Sequence, residues 1–138
     1  MTAKEYLSEL QKMQYRIKNL KLESESLRKS FTYLSGINYE RDKVQTSPRD
    51  VMADSIDRIV DVEKEVALAL AEYHEAMSLR IRQINGLSKP EYITILASRY
   101  VEGKNFEQIA VELDYNYYHT CHLHGEALDE FAKTYKIQ

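Results

Sequence analysis

From Tyr6 to Leu34, apolar residues recur in alternating steps of four and three, and only Ser24 interrupts the register. A period of about 3.5 residues kept over several heptads is typical of a coiled-coil helix. A lone helix of this kind is marginally stable in water, so its apolar stripe must be buried against a partner. The stripe consists of Tyr6, Leu10, Met13, Ile17, Leu20, Leu27, Phe31 and Leu34.

A second long amphipathic helix is predicted from about Pro48 to Asn85. Ser47 is placed to cap it, Pro48 suits the first helical position because no amide is needed there, and Gly86 is expected to stop it in a left-handed conformation. Its apolar stripe consists of Ile56, Ile59, Val60, Val66, Leu70, Tyr73, Met77, Ile81 and Ile84.

The residues between these helices, 35–46, contain Gly36, Asn38 and a short run of alternating charges, which favour a solvated loop. Two helices of comparable length joined by a short connection are expected to fold back as an antiparallel hairpin, or to pair with a second copy of the chain. We therefore predict a helical, coiled-coil oligomerisation arm over 1–87 and a separate domain over 88–138.

The domain at 88–138 is predicted to contain three helices. The first follows Ser88, which is expected to cap it with Glu91 three positions later. The next two span Asn105 to Phe131, with Asn105 capping one helix, Asp114-Tyr115 making a tight turn and Asn116 capping the other. Two short helices around a tight turn are typical of a helix-turn-helix, so the predicted fold class is all-α throughout.

The last helix has two distinct faces. A step of about 100° per residue gathers an inward stripe and sets Tyr118, Cys121, His122 and Gly125 on the opposite side, near the helix start. In a helix-turn-helix, this outward face enters the DNA major groove. The inward stripe is Thr120, Leu123, Ala127, Leu128 and Phe131, and the predicted DNA-contacting residues are Tyr117, Tyr118, His119, Cys121 and His122.

Composition agrees with a helical protein and narrows its setting. The 138 residues include four glycines, two prolines and no tryptophan, which favours helix nearly throughout. No apolar run approaches the roughly 20 residues that span a bilayer, and the N-terminus leads straight into a charged helix rather than a secretory signal. Cys121 is the single cysteine, so no internal disulfide can form. We expect a cytoplasmic protein with no membrane partner.

Neither metal binding nor catalysis is expected from the sequence. His119 and His122 lie three residues apart, as do Cys121 and His124, but these four side chains spread around the helix and no second cysteine is present. The sequence has no phosphate-binding glycine loop, no Gly-x-Ser-x-Gly and no His-Glu-x-x-His. We predict no metal, no cofactor and no enzymatic activity.

Several segments resemble known phage regulators. Arg-Tyr-Val-Glu-Gly-Lys-Asn-Phe-Glu-Gln-Ile-Ala-Val-Glu-Leu at 99–113 is similar to the stretch leading into the helix-turn-helix of sigma-factor region four. With His-Gly-Glu-Ala-Leu at 124–128, it resembles the ArpU and RinA-like late-gene activators encoded by prophages of Gram-positive bacteria. The segments 1–7, 42–48 and 59–61 resemble the N-terminal half of one branch of that group. The resemblance implies a cytoplasmic transcriptional regulator that binds double-stranded DNA, with RNA polymerase as a candidate second partner.

The charge of the C-terminal domain leaves an alternative open. Residues 88–138 contain five Lys or Arg against eight Asp or Glu, a net of −3, whereas phosphate contacts supply most non-specific DNA affinity. The alternative is a coiled-coil protein–protein adaptor whose acidic head has lost DNA binding. If the head does bind DNA, protonation of His119, His122 and His124 below about pH 6.5 is expected to strengthen binding.

Overall fold

The computed structural model describes residues 1–36 and 48–137, and over these residues it consists of helices and their connections. The helices, named here in chain order, are α1 (Ala3–Ser35), α2 (Pro48–Asn85), α3 (Pro90–Leu96), which continues into a π-helical segment (Ala97–Val101), α4 (Phe106–Leu113) and α5 (Tyr117–Thr134). The all-α prediction is therefore confirmed, and the two long helices pack together as a pair. The predicted Ser47 cap and most of the predicted loop lie outside the described residues.

Backbone contacts divide the chain into two compact units. The head unit comprises Met1–Gln14 together with Glu72–Gln138, and the arm unit comprises Tyr15–Ala71. The head unit therefore takes in the ends of both long helices. The predicted boundary between residues 87 and 88 stays a prediction.

In the arm unit, α1 and α2 pair through apolar residues at helical spacing. Ile17, Ile59 and Val62 are buried, and so is Ser24, the polar residue in the α1 register. Arg28 pairs with Glu63 across the helices, but both side chains are largely exposed, so this ion pair contributes little to stability.

The predicted α2 stripe is wrong at its first turns. Ile56 and Val60 are exposed, while Val62, which the stripe omitted, is buried. Ile59 faces inward, and Val60 lies about 100° around the helix from it, whereas Val62 and Val66 keep steps of three and four from Ile59. The inward face therefore passes through Val62 rather than Val60.

The head unit has one main apolar core, to which α1, α2, α3, α4 and α5 all contribute. Its buried residues are Ala3, Leu7, Ile84, Leu87, Tyr92, Ile95, Leu96, Ile109, Leu123, Ala127 and Phe131. Phe131 is fully buried, and its ring lies 6.0 Å from that of Tyr6 and 4.9 Å from that of Tyr135. The end of α5 is thus fixed against the start of α1.

Within the head unit, α1 and α2 run antiparallel and are joined by polar contacts as well as apolar ones. The Tyr6 hydroxyl donates to Gln83 Oε1 at 2.7 Å. The buried Arg80 guanidinium lies 2.6 Å from Glu9 Oε2, donates to the Tyr6 carbonyl at 3.1 Å and stacks over the Tyr6 ring at 4.0 Å. An arginine on the inward side of α2 was not predicted, because residue type argued against it.

Two predicted helix signals differ from the structure. Gly86 does not adopt a left-handed conformation; a Cβ there would lie 2.5 Å from the Tyr135 hydroxyl, which donates to the Gln83 carbonyl, so the glycine provides room for close approach. Ser88 does not cap α3, since Lys89 holds the cap position and the Ser88 hydroxyl donates to the Glu130 carboxylate instead. Both residues tie the connection after α2 to the end of α5.

Candidate nucleic-acid interface

The start of α4 is fixed by a reciprocal pair of hydrogen bonds. Asn105 Oδ1 accepts from the Gln108 N–H at 2.8 Å, and Gln108 Oε1 accepts from the Asn105 N–H at 3.0 Å. This is a capping box, which satisfies two amides that the first turn leaves without helical partners. The predicted Asn105 cap is confirmed, and α4 begins at Phe106 as a result.

Three residues, Asp114 to Asn116, connect α4 to α5. Asp114 is left-handed, with φ 55° and ψ 41°. The Tyr115 N–H donates to the Ala110 carbonyl at 2.9 Å and the Asp114 N–H to the Val111 carbonyl at 3.3 Å, which is the bond pair of a Schellman motif. The chain therefore reverses sharply after Leu113.

Replacing Asp114 by valine is expected to destabilise the protein by about 1–2 kcal/mol, because a β-branched residue tolerates the left-handed conformation poorly. Replacement by glycine, which adopts positive φ freely, is the matched control and should not destabilise the protein. Urea unfolding followed by circular dichroism measures both variants. Equal stability of the valine and glycine variants would contradict a left-handed residue at this turn.

The start of α5 is fixed by Asn116. Its Oδ1 accepts from the His119 N–H at 2.7 Å, so the predicted cap is confirmed. Its carbonyl accepts from the Thr120 hydroxyl at 3.0 Å, which satisfies the polar group of a fully buried side chain. These bonds set the rotation of α5, and with it the side chains that face solvent.

The outward face of α5 presents aromatic and imidazole side chains. Tyr118 is 84% exposed, Tyr117, His119 and His122 are also exposed, and Cys121 is partly covered. The structure therefore places all five predicted residues along the first turns of α5, with Tyr118 the most accessible.

Tyr117 and Cys121 interact with each other. A hydrogen bond with the Cys121 thiol raises the pKa of the Tyr117 hydroxyl above its ordinary value, and the negative charge of Glu107 adds to this. The Tyr117 ring also meets the Tyr118 ring edge to face, with centroids 6.0 Å apart. Tyr117 is thus held near the surface of its own helix, whereas Tyr118 projects outward.

His119 and His122 each have a partner within the head unit. The His119 ring meets the Tyr115 ring edge to face at 4.7 Å. His122 Nε2 lies 2.9 Å from Glu126 Oε1, and Glu126 also accepts from the Tyr92 hydroxyl at 3.0 Å. A protonated His122 therefore has a carboxylate beside it, which reduces the positive charge it presents to a phosphate.

His124 lies on the inward side of α5. It is buried, its Nε2 is 2.7 Å from the Tyr100 hydroxyl, and its ring lies 4.8 Å from that of Phe106. Burial, together with the nearby charges of Lys4 and Arg99, lowers its pKa to about 4. The prediction that acidification to about pH 6 charges His124 on the outer face is therefore wrong for this residue.

The charges around the outward face are mainly negative. Glu107, Glu112 and Asp114 are exposed on α4 and the turn. Lys104 Nζ lies 2.6 Å from Glu102 and 2.8 Å from Glu112, and these carboxylates raise the Lys104 pKa. Lys104 is thus already paired with carboxylates, which leaves it less available for a phosphate contact.

Sequence reasoning placed His124 beside a possible metal ligand and missed its role in packing. The spacing alone indicates that His124 lies on the inward face of α5. Thr120, His124, Ala127 and Phe131 follow steps of four, three and four, and all are buried. Over residues 1–36 and 48–137, no three His, Cys, Asp or Glu side chains come together as metal ligands would. No helix in those ranges is long and apolar enough to cross a bilayer.

No protein-family model, curated protein or solved structure matches this chain. The resemblance to prophage regulators therefore stays a prediction. What the site offers by itself is a short helix pair with a sharply defined turn and an exposed aromatic face.

Proposed function

We propose that α4, the three-residue turn and α5 form a helix-turn-helix that binds double-stranded DNA, and that the protein is a phage-type transcriptional regulator. The observation that carries the proposal is the pair of caps at Asn105 and Asn116 around a left-handed Asp114, with Tyr118 projecting from the first turn of α5. In helix-turn-helix proteins, the start of the second helix is the part that reaches base edges.

Tyr118 and His122 are the proposed base-contacting residues. A tyrosine hydroxyl both donates and accepts, and its ring contacts the thymine methyl group in the major groove. His122 lies four residues after Tyr118, on the same side of the helix, and its side chain is 72% exposed. Tyr117, His119 and Cys121 lie around these two and would meet the edges of the groove.

Because acidic residues surround this face, a single head is expected to bind DNA weakly. Two linked heads overcome weak individual affinity through effective concentration, and a symmetric dimer presents them to half-sites about one helical turn apart. Tyr15, Leu22 and Tyr33 support a second copy on the arm unit, since all are exposed and their spacing places them on one face of α1. We therefore propose a homo-oligomer formed through the arm.

A protein–protein adaptor is the second candidate, and α4 favours it. Val111 is 81% exposed, and Glu107, Gln108 and Glu112 surround it. An apolar residue within an acidic rim suits a partner protein better than a phosphate backbone. RNA polymerase would be such a partner if the protein regulates transcription.

The proposal is tested by selecting bound sequences from random duplex DNA with the full-length protein, and then measuring affinity by fluorescence anisotropy. Replacing both Tyr118 and His122 by alanine should weaken specific binding about tenfold or more, since each base contact contributes roughly 1–3 kcal/mol. Helicity should not change, because both side chains are exposed.

His74→Ala is the matched control, since His74 is an exposed histidine on α2. It should bind DNA like the unaltered protein. Salt separates the two candidate functions, because DNA affinity falls as salt rises, whereas an apolar partner contact responds little. Two results together would favour the adaptor function over the regulator function. The protein would select no DNA sequence, and it would bind a partner protein that the Val111→Ala variant no longer binds.

A further inference from the structure

A small, largely enclosed pocket lies inside the head unit, on the opposite side of α5 from Tyr118 and His122. Its volume is about 60 Å³, which is room for about two water molecules at roughly 30 Å³ each. Its polar lining comes from α1, the π-helical segment and α5, and includes Lys4, Ser8, Gln14, Arg99, Tyr100 and His124. No part of the DNA-binding proposal uses it.

The charge of this lining is positive, unlike that of the protein as a whole. Two cationic side chains, Lys4 and Arg99, line the pocket and no carboxylate does. Within the described ranges, neither cation forms an ion pair, whereas Arg28, Arg58, Arg80 and Lys104 each pair with a Glu on α1, α2 or α4. Two cations that face a confined polar space leave a place for a negative charge.

Arg99 is held in an orientation that lets it bind an anion in the pocket. Its Nη1 donates to the Lys104 carbonyl at 3.1 Å, and its guanidinium lies 5.1 Å from the Phe106 ring. These two contacts fix the plane of the group while leaving other N–H donors available. Arg99 and Tyr100 both belong to the π-helical segment, a feature that occurs frequently at functional sites.

Neutral donors and acceptors complete the lining. The Tyr100 hydroxyl and His124 Nε2 are in contact at 2.7 Å, and Gln14 Nε2 donates to the Tyr73 hydroxyl at 2.5 Å. A guanidinium, an ammonium and several polar side chains around a space of about 60 Å³ match an oxyanion that bonds through several oxygens at once.

We propose that this pocket binds a small oxyanion, namely phosphate, either free or as the terminal group of a phosphate monoester. Arg99 and Lys4 supply the charge, and the neighbouring hydroxyl, imidazole and amide groups orient the oxygens. Because the space admits only the anionic group, the rest of an ester would remain outside. The proposal does not depend on whether the head binds DNA.

Isothermal titration calorimetry tests the proposal on the full-length protein, with inorganic phosphate, a small phosphate monoester and chloride compared at equal ionic strength. Phosphate should bind and chloride should not. Arg99→Gln should weaken phosphate binding about tenfold or more, as expected for losing a charge-assisted hydrogen bond. Lys4→Gln should weaken it by a smaller factor.

Lys12→Gln is the matched control, because Lys12 is an exposed lysine on α1 that does not line the pocket. It should bind phosphate normally. If Arg99→Gln proves misfolded by circular dichroism, Lys4→Gln decides the matter, since Lys4 is exposed and its loss leaves the core intact. NMR provides a second readout, because a bound anion should move the His124 ring resonances and leave those of His74 unchanged.

No phosphate binding by the unaltered protein would overturn the proposal, as would equal affinity in the Lys4, Arg99 and Lys12 variants. Binding of inorganic phosphate alone would identify a free anion as the ligand. Binding of both compounds would identify the phosphate group as what the pocket recognises.

Discussion

Replacing Arg80 by alanine is expected to lower the free energy of unfolding by about 3 kcal/mol, the lower end of the range for breaking a buried ion pair. The Arg80 side chain is only 6% exposed, whereas its partner Glu9 is 37% exposed, so water relieves part of the cost of leaving Glu9 alone. The variant also leaves the Tyr6 carbonyl without its donor and removes the group stacked on the Tyr6 ring.

Two further variants make this result interpretable. Arg82→Ala removes an exposed arginine from the same helix and should change stability by less than about 0.5 kcal/mol. Arg80→Met, combined with Glu9→Gln, replaces the ion pair by uncharged groups and should recover much of the loss. Urea unfolding measures all of them. A loss below about 1 kcal/mol for Arg80→Ala would mean that the pair behaves as a solvent-exposed one.

Lowering the pH from about 7 to 4 is expected to lower the free energy of unfolding by about 2–3 kcal/mol through the protonation of His124 alone. The pKa of His124 is lowered to about 4 in the folded protein, against about 6.5 in an unfolded chain. Between about pH 6.5 and pH 4, His124 is protonated in the unfolded chain but remains neutral in the folded protein. Stability therefore falls as the pH falls through this window and is unaffected above it.

Burial is the largest cause of the lowered His124 pKa, and the charged groups that face the ring act in the same direction. Lys4 on α1 and Arg99 on the π-helical segment both disfavour a charged imidazole, and the Tyr100 hydroxyl beside it stays neutral because burial raises its pKa to about 12. His124→Gln removes the titration while keeping a polar partner for Tyr100, so subtracting its pH profile isolates the His124 contribution. The measurement belongs in phosphate-free buffer. An NMR titration that places the His124 pKa near 6.5 would contradict the prediction.

Much of the fold was predictable because helical periodicity is a local property. The α1 stripe, both asparagine caps and the inward positions of α5 depend on residues within a few turns of one another. Gly86 shows the limit of this reasoning. Its type indicated a left-handed stop, but its reason for being glycine is the Tyr135 hydroxyl, which is distant in sequence.

The candidate site was predictable in its position and not in its polar contacts. Spacing placed Tyr118 and His122 outward, and both are exposed. The same spacing marks His124 and Arg80 as inward, but their residue types argued against burial. Burying these polar side chains is costly unless they have partners, and the partners are distant in sequence: Tyr100 contacts His124, and Glu9 pairs with Arg80.

The π-helical segment makes the pocket sensitive to chain length as well as to composition. A π-helical turn holds one residue more than the α-helical turn it replaces. Deleting a single residue there would let α3 continue as a regular helix with one residue fewer before Glu102. Arg99 and Tyr100 both lie in this segment and line the pocket, so the loss of the widened turn would displace them and disrupt the pocket more severely than most substitutions.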